Sequence, residues 1–314
     1  MIRRRRVGPA DPAALSYLLK READAVGAIS RFISGEDTPC YAWLVETFGP
    51  GGATGRPRTL GFILLSGGTV FILAEPGAAT PAWFAPSLLR RTRSLQGLAV
   101  DVAVAESAIA EKAVAEAAAA ESAAAEAAAA GSAVDCAATE PAPKGPPSGE
   151  GIDYILMRLT SDPSPAGLAA GPPDLVVRVA AAADADDLYP LQAGYEREEV
   201  LPCGAVFDPA FCRWNLEKLL RSRLCLVAEW RGAAVGKANL NAAAFSRDQI
   251  GGVYVDAACR GRGIATRLVA ELARLDAESG RRVGLFVKTA NLPAIAAYTK
   301  AGFVSGPAYR IVYY

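Results

Sequence analysis

Residues 249–278 read QIGGVYVDAACRGRGIATRLVAELARLDAE, and no other stretch constrains the fold as much. Its opening has the β-branched and aromatic content of a strand, while Ile264, Leu268, Leu272 and Leu275 recur on one helix face. Between the two lies Arg260-Gly261-Arg262-Gly263-Ile264-Ala265. Where a strand hands over to a helix, the first helical N–H groups have no partner in the helix, and the dipole adds partial positive charge. Two glycines let a phosphate approach the main chain without meeting a Cβ, so the turn has the chemistry of a pyrophosphate cradle. A dinucleotide turn would want Gly or Ala where Thr266 stands, and an acid ending the next strand, where VGLFVK supplies none. A P-loop would need a Lys-Ser/Thr pair, also missing.

Around this unit residues 175–314 alternate strand and helix signals. LVVRVA (175–180) reads as a strand, and the acidic segment 183–201 has helical character. Residues 225–240 read as two strands about Arg231-Gly232, and 283–287 as another. Residues 291–303 read as a short helix closed by Gly302, and YRIVYY as a terminal strand. Asn291, Ala294 and Tyr298 share one face of that short helix, along about 10 Å.

Composition removes whole classes of chemistry. The chain has no histidine, which excludes His-dependent triads, imidazole metal sites and a His general base. Lys plus Arg and Asp plus Glu each total 33, so no net charge draws the chain to nucleic acid or an anionic membrane. The six cysteines (Cys40, Cys136, Cys203, Cys212, Cys225, Cys259) form no C-x-x-C pair and read as reduced thiols of a cytoplasmic protein, with no metal expected. No secretory signal follows the Arg3–Arg6 run, which reads as a solvated arm. The most apolar run, 60–74, is broken at Ser66-Gly67-Gly68-Thr69 and reads as a hairpin rather than a membrane span.

At 314 residues the chain has room for two domains. Residues 1–160 carry helical patterns at 15–19, 25–33 and 83–93, the hairpin, and a strand at 152–159, an order that suits an α/β layer domain. Within it residues 104–151 read as an inserted Ala/Glu helix and tether: Glu recurs every five residues from Glu106 to Glu126, which leaves no broad apolar face. Pro- and Gly-rich residues 161–174 read as a linker to a second domain, 175–314.

The string R-G-R-G-I-A after GGVYVD, with N-x-x-A-x-x-x-Y-x-K-x-G-F about thirty residues later, resembles the GNAT superfamily of acyl-CoA-dependent N-acyltransferases over residues 176–314. The resemblance implies a mixed sheet flanked by helices, with acetyl-CoA as co-substrate. Its pyrophosphate would lie on the backbone amides of Arg260, Gly261, Arg262, Gly263, Ile264, Ala265 and Thr266. Its pantetheine arm would lie along Val253 and Val255, where that strand splays from 283–287. The resemblance further implies cofactor contact by Asn291 and protonation of the departing thiolate by Tyr298. Residues 1–160 are more faintly similar to a degenerate GNAT-like domain, an arrangement of some bacterial tandem proteins, but lack the phosphate loop. The plainer reading of the short helix makes Tyr298 a core aromatic and Asn291 an N-cap.

The reaction expected is direct transfer of acetyl to a primary amine of a small molecule or peptide, in a ternary complex. A lysine-like amine is almost wholly protonated at neutral pH, so a base is expected for it more than for an α-amine. Glu196, Glu198 and Glu199 are the candidates, each also readable as part of a solvated helix face, since 249–255 carries no acid. An oxyanion contact would come from a backbone N–H near Val255. Cys259 lies at the wrong end of the cofactor for an acyl-enzyme. A mycothiol-synthase-like tandem transferase for an amino-sugar conjugate, or a non-catalytic acyl-CoA sensor, are the alternatives.

Overall fold

The computed structural model describes residues 2–34, 40–48, 57–75, 93–98, 102–103, 105–106, 150–201 and 205–313. The helix expected over 83–93, nearly all of the 104–151 insert, Cys136 and Cys203 lie outside these residues. The chain divides into two compact units: Met1–Gly8, Asp37–Ile152 and Arg310–Tyr314 form the first, Pro9–Glu36 and Asp153–Tyr309 the second.

In the first unit β1 (Ile2–Val7), β2 (Cys40–Thr47), β3 (Arg58–Ser66), β4 (Thr69–Ala74) and β5 (Ser94–Leu98) lie side by side in chain order. All neighbours are antiparallel except β4 and β5, which are parallel. Gly67 and Gly68, both at positive φ, make the tight β3–β4 turn whose twist suits a hairpin. Val45, Ile63, Val70, Ile72 and Leu95 form the core. The arginine run is an edge strand rather than a free arm: β1 pairs with β2 along its length, and Arg3 and Arg5 both reach the buried Glu46. Its charges guard that edge.

The second unit orders its strands β12 (Phe303–Tyr313, of which Phe303–Tyr309 belong to this unit), β6 (Glu150–Leu159, of which Asp153–Leu159 belong to it), β11 (Arg282–Lys288), β10 (Arg247–Val255), β9 (Ala233–Ala243), β8 (Cys225–Trp230) and β7 (Val176–Val179). Alternation along β8 separates two layers: Leu226 and Ala228 join the larger core, Cys225 and Val227 the smaller. Helices α6 (Ile264–Glu278) and α7 (Leu292–Ala301) cover the first face through Leu268, Leu272 and Ala301. The other face is covered by α4 (Ala185–Tyr195), which runs into a π-helical turn at Glu196–Val200, and by α5 (Pro209–Ser222).

Two boundaries differ from the sequence reading. Residues 9–36, with α1 (Pro12–Lys20) and α2 (Glu22–Ser34), belong to the second unit. There Glu22 accepts from Ser246 and Arg247, and the Ser30 hydroxyl accepts from the Ala243 amide across 213 residues of chain. The segment read as a linker is docked in the same unit. Its helix α3 (Pro165–Leu168) is capped by Ser164, whose amide and hydroxyl bond the carbonyls of Ala301 and Lys300, while Trp230 Nε1 donates to the Pro173 carbonyl. Helix α5 was not anticipated, although Asp208 caps it and Pro209 starts it, a usable signal. No helix among the described residues is long and apolar enough to cross a membrane.

Candidate active site

The site begins where two parallel strands part. Strands β10 and β11 pair only at Arg247–Arg282, Asp248–Val283 and Gln249–Gly284, although β10 continues to Val255 and β11 to Lys288. On the other side β10 stays bonded to β9, with one extra residue between Gly251 and Tyr254 against Asn239 and Lys237. Gly252 occupies this bulge at φ +57°, so close to β9 that a Cβ there would run into Asn239 and Lys237. Val253 and Val255 therefore lie in the parted length.

The apex of the parting is clamped. Arg281 donates to both oxygens of Asp248 and to the carbonyls of Ala244, Phe245 and Arg247. Strand β10 thus begins two residues earlier than expected and does carry an acid, but at the closed end. Nearby Asp276 is pushed up to about 7 by burial, then by the charge of Asp248.

At the open end comes the arginine-glycine turn. Gly261 and Gly263 have φ of +74° and +80°, and Gly263 caps α6 without a side chain. Arg267 makes the first intrahelical bond, to the Gly263 carbonyl, which leaves the amides of Ile264, Ala265 and Thr266 without intrahelical partners. A Cβ at Gly261 would meet nothing within 4 Å, whereas one at Gly263 would stand 3.0 Å from the Gly171 amide. The cradle is thus open on the Gly261 side and walled by residues 170–171 on the other. Arg262 stacks over Trp230. Arg260 turns back: its Nε donates to the Val255 carbonyl and its Nη2 to Glu198 at 2.8 Å, with the guanidinium over the Tyr254 ring.

The acids expected near the acceptor lie on the π-helical turn, and each is already engaged. Glu198 accepts from Tyr254 Oη at 2.6 Å as well as from Arg260, and these bonds hold its carboxyl below the usual range. Glu199 pairs with Lys288 at 3.1 Å and accepts from Asn291 Nδ2 at 3.2 Å. Glu196 accepts from Gln192. Asn291 also caps α7, its Oδ1 accepting from the Ala294 amide, so both ends of its amide are occupied. Tyr298 is buried on α7, and burial, then the nearby Tyr195 and Glu199, push its phenol well up. Such a phenol keeps its proton at neutral pH.

One residue of the site escaped the sequence reading. Lys237, on β9, is fully buried, and its Nζ donates to Asn239 Oδ1 and to the Gly252 carbonyl, each at 3.0 Å. Burial pulls it below the usual lysine range. Cys212 and Cys225, buried on the same side, are free thiols pushed upward mainly by burial, Cys212 to about 12. Cys259 is also free and partly exposed beside the turn. No cluster of metal-ligating side chains occurs among the described residues.

Comparison with known proteins agrees with this geometry. Residues 186–303 match the model of the acetyltransferase (GNAT) family. None of the curated proteins matches in sequence. Among solved structures, a GCN5-related N-acetyltransferase from Sphaerobacter thermophilus aligns with a TM-score of 0.57 at 18% identity, over 99% of this chain and 94% of its own. A GNAT-family acetyltransferase from Colwellia psychrerythraea aligns at 0.53 and 11% identity, over 99% and 100%. A tandem GNAT protein from the clavulanic acid biosynthesis pathway aligns at 0.50 and 15%, over 99% and 98%. At these identities the likeness is one of fold, and it extends over nearly the whole chain.

Proposed function

We propose, from the match of residues 186–303 to the acetyltransferase (GNAT) family model, that the protein is an N-acetyltransferase that uses acetyl-CoA and a primary amine. The observation that carries the reading is the parting of β10 from β11 after three residue pairs, with the open helix end of α6 following β10. The turn fits a pyrophosphate: the amides of Ile264, Ala265 and Thr266 have no intrahelical partners, and the Gly261 side is open space. The amides of Gly261, Gly263, Ile264, Ala265 and Thr266 would hold it, and Val253 and Val255 would line the arm.

Acetyl-CoA supplies the activated acyl group. The amine attacks the thioester carbonyl carbon; a C–N bond forms as the C–S bond breaks, and the leaving thiolate takes the proton that Tyr298 holds at Oη. Proton loss from the amine falls to Glu199 rather than Glu198, whose carboxylate is held ionised by Tyr254 and Arg260. Glu199 is the acid whose charge is felt at Tyr298. The first unit is a degenerate relative of the second, without a counterpart of the 260–265 turn in its sequence, and the protein acts in the cytoplasm. Calorimetry with desulfo-CoA, followed by thiol release from acetyl-CoA across a panel of amines and peptide N-termini, tests the proposal. Binding at micromolar concentration with amine-dependent release is expected; indifference to CoA at millimolar concentration overturns it.

A further inference from the structure

The most unusual group in the second unit is the amine of Lys237. Lysine is almost never fully buried, and burying one costs several kcal/mol where an apolar side chain would cost nothing. Here the amine makes two defined hydrogen bonds, to Asn239 Oδ1 and to the carbonyl of Gly252, and it lies 5.4 Å from the centre of the Tyr195 ring. Gly252 is the bulge residue of β10, at the one place where a Cβ would collide with both Asn239 and Lys237. The bulge and the lysine are therefore built against each other.

That contact has a directional consequence. The Gly252 carbonyl and the Val253 N–H belong to one peptide unit, which is planar and trans, so they point in opposite directions. Fixing the carbonyl on Lys237 directs the Val253 N–H away from Lys237, within the length of β10 that has parted from β11. We propose that Lys237 is a positioning residue for acyl transfer: it locks the Gly252–Val253 peptide so that the Val253 N–H faces the thioester carbonyl. The inference rests on residues 250–255 being the strand that receives acyl-CoA. A neutral or a charged amine would serve equally, since either keeps two N–H donors. Preorganised donors of this kind contribute because they need no reorientation as charge develops on oxygen.

The test uses the full chain and two ligands, acetyl-CoA and desulfo-CoA, the second lacking the thioester. In the wild-type protein the Val253 amide proton should move downfield with acetyl-CoA and not with desulfo-CoA. Lys237→Met should abolish that difference and lower kcat about 10²-fold, the loss typical of a removed oxyanion donor. KM for acetyl-CoA and affinity for desulfo-CoA should stay within about threefold. An unchanged kcat in the variant overturns the proposal, as does a loss of desulfo-CoA affinity in proportion to kcat, which marks a merely structural lysine. If Lys237→Met does not fold, the wild-type spectra decide alone: binding of both ligands with no Val253 response to the thioester overturns the assignment. A wild-type protein that binds neither ligand removes the functional reading itself, and this inference with it.

Discussion

Among the described residues each unit has a parallel strand pair beside antiparallel neighbours, and the two pairs end differently. In the first unit β4 and β5 pair from Thr69–Ser94 to Ile72–Gly97, which is all but one residue of β5. They are pressed together: a Cβ at Gly97 would stand 2.7 Å from the Ile72 carbonyl oxygen. In the second unit the pair is clamped at one end by Arg281 and opens after Gly284. A closed pair satisfies its ladder within the sheet; an open one leaves backbone facing a gap. On its other side β10 carries the Gly252 bulge against β9, and the Gly252 carbonyl accepts from Lys237 Nζ. If the proposed reading holds, ligand capacity should follow the state of the pair rather than the fold as a whole.

The sharpest way to break this contrast is to count ligands and then block the turn. One desulfo-CoA per chain is expected, with amide shifts in 247–302 and none in 58–74 or 94–98; two per chain would make the closed pair a site as well. Gly263→Val should weaken binding by about 10²-fold, because a β-branched residue is forced to positive φ against the Gly171 amide. Gly261→Ala meets only the backbone penalty, about 1 kcal/mol or roughly fivefold, since the space around Gly261 is open. Equal losses at the two glycines would show that the wall at 170–171 plays no part.

The next largest effect concerns the open end. Tyr298→Phe removes one hydroxyl from a buried ring and should lower kcat by about 10²-fold with desulfo-CoA affinity unchanged. Because the phenol is pushed up by burial, its own titration should leave no limb in the pH–rate profile below pH 9. An unaltered rate would remove Tyr298 from the reaction and leave it as packing.

The features legible in the sequence were those with local causes. The turn at 260–265, the apolar stripe of α6, the Gly302 end of α7 and the Gly67-Gly68 hairpin are each written within a dozen residues. What was missed depends on distant partners. The arginines of β1 become a strand only because β2 lies beside them. Helices α1 and α2 join the second unit because Ser30 and Glu22 find Ala243, Ser246 and Arg247. Likewise Glu198 looked like a free acid until Tyr254 and Arg260 were placed against it, and nothing in KANLN marks Lys237 as buried.

The smallest effect tests the closed end. Asp276 is buried with one oxygen unpartnered, near Asp248, which Arg281 holds. Its carboxyl rises from the ordinary aspartate value to about 7 on folding, mainly through burial. A group raised in the folded state contributes its full stability when protonated in both states, below about pH 4. That contribution is lost as pH climbs through about 7, so the native protein should weaken between pH 4 and 8 on this account. Asp276→Asn cannot ionise and should match wild type near pH 4 while exceeding it at pH 8 by about 1–2 kcal/mol, read from urea midpoints at each pH. If the apex clamp is what keeps the pair closed there, the variant's affinity for desulfo-CoA should not change, because Arg281 keeps both oxygens of Asp248. A variant less stable than wild type at pH 8 would mean that the ionised carboxylate of Asp276 is needed to hold Arg281, and that the closed end is a three-member ion cluster rather than a single pair.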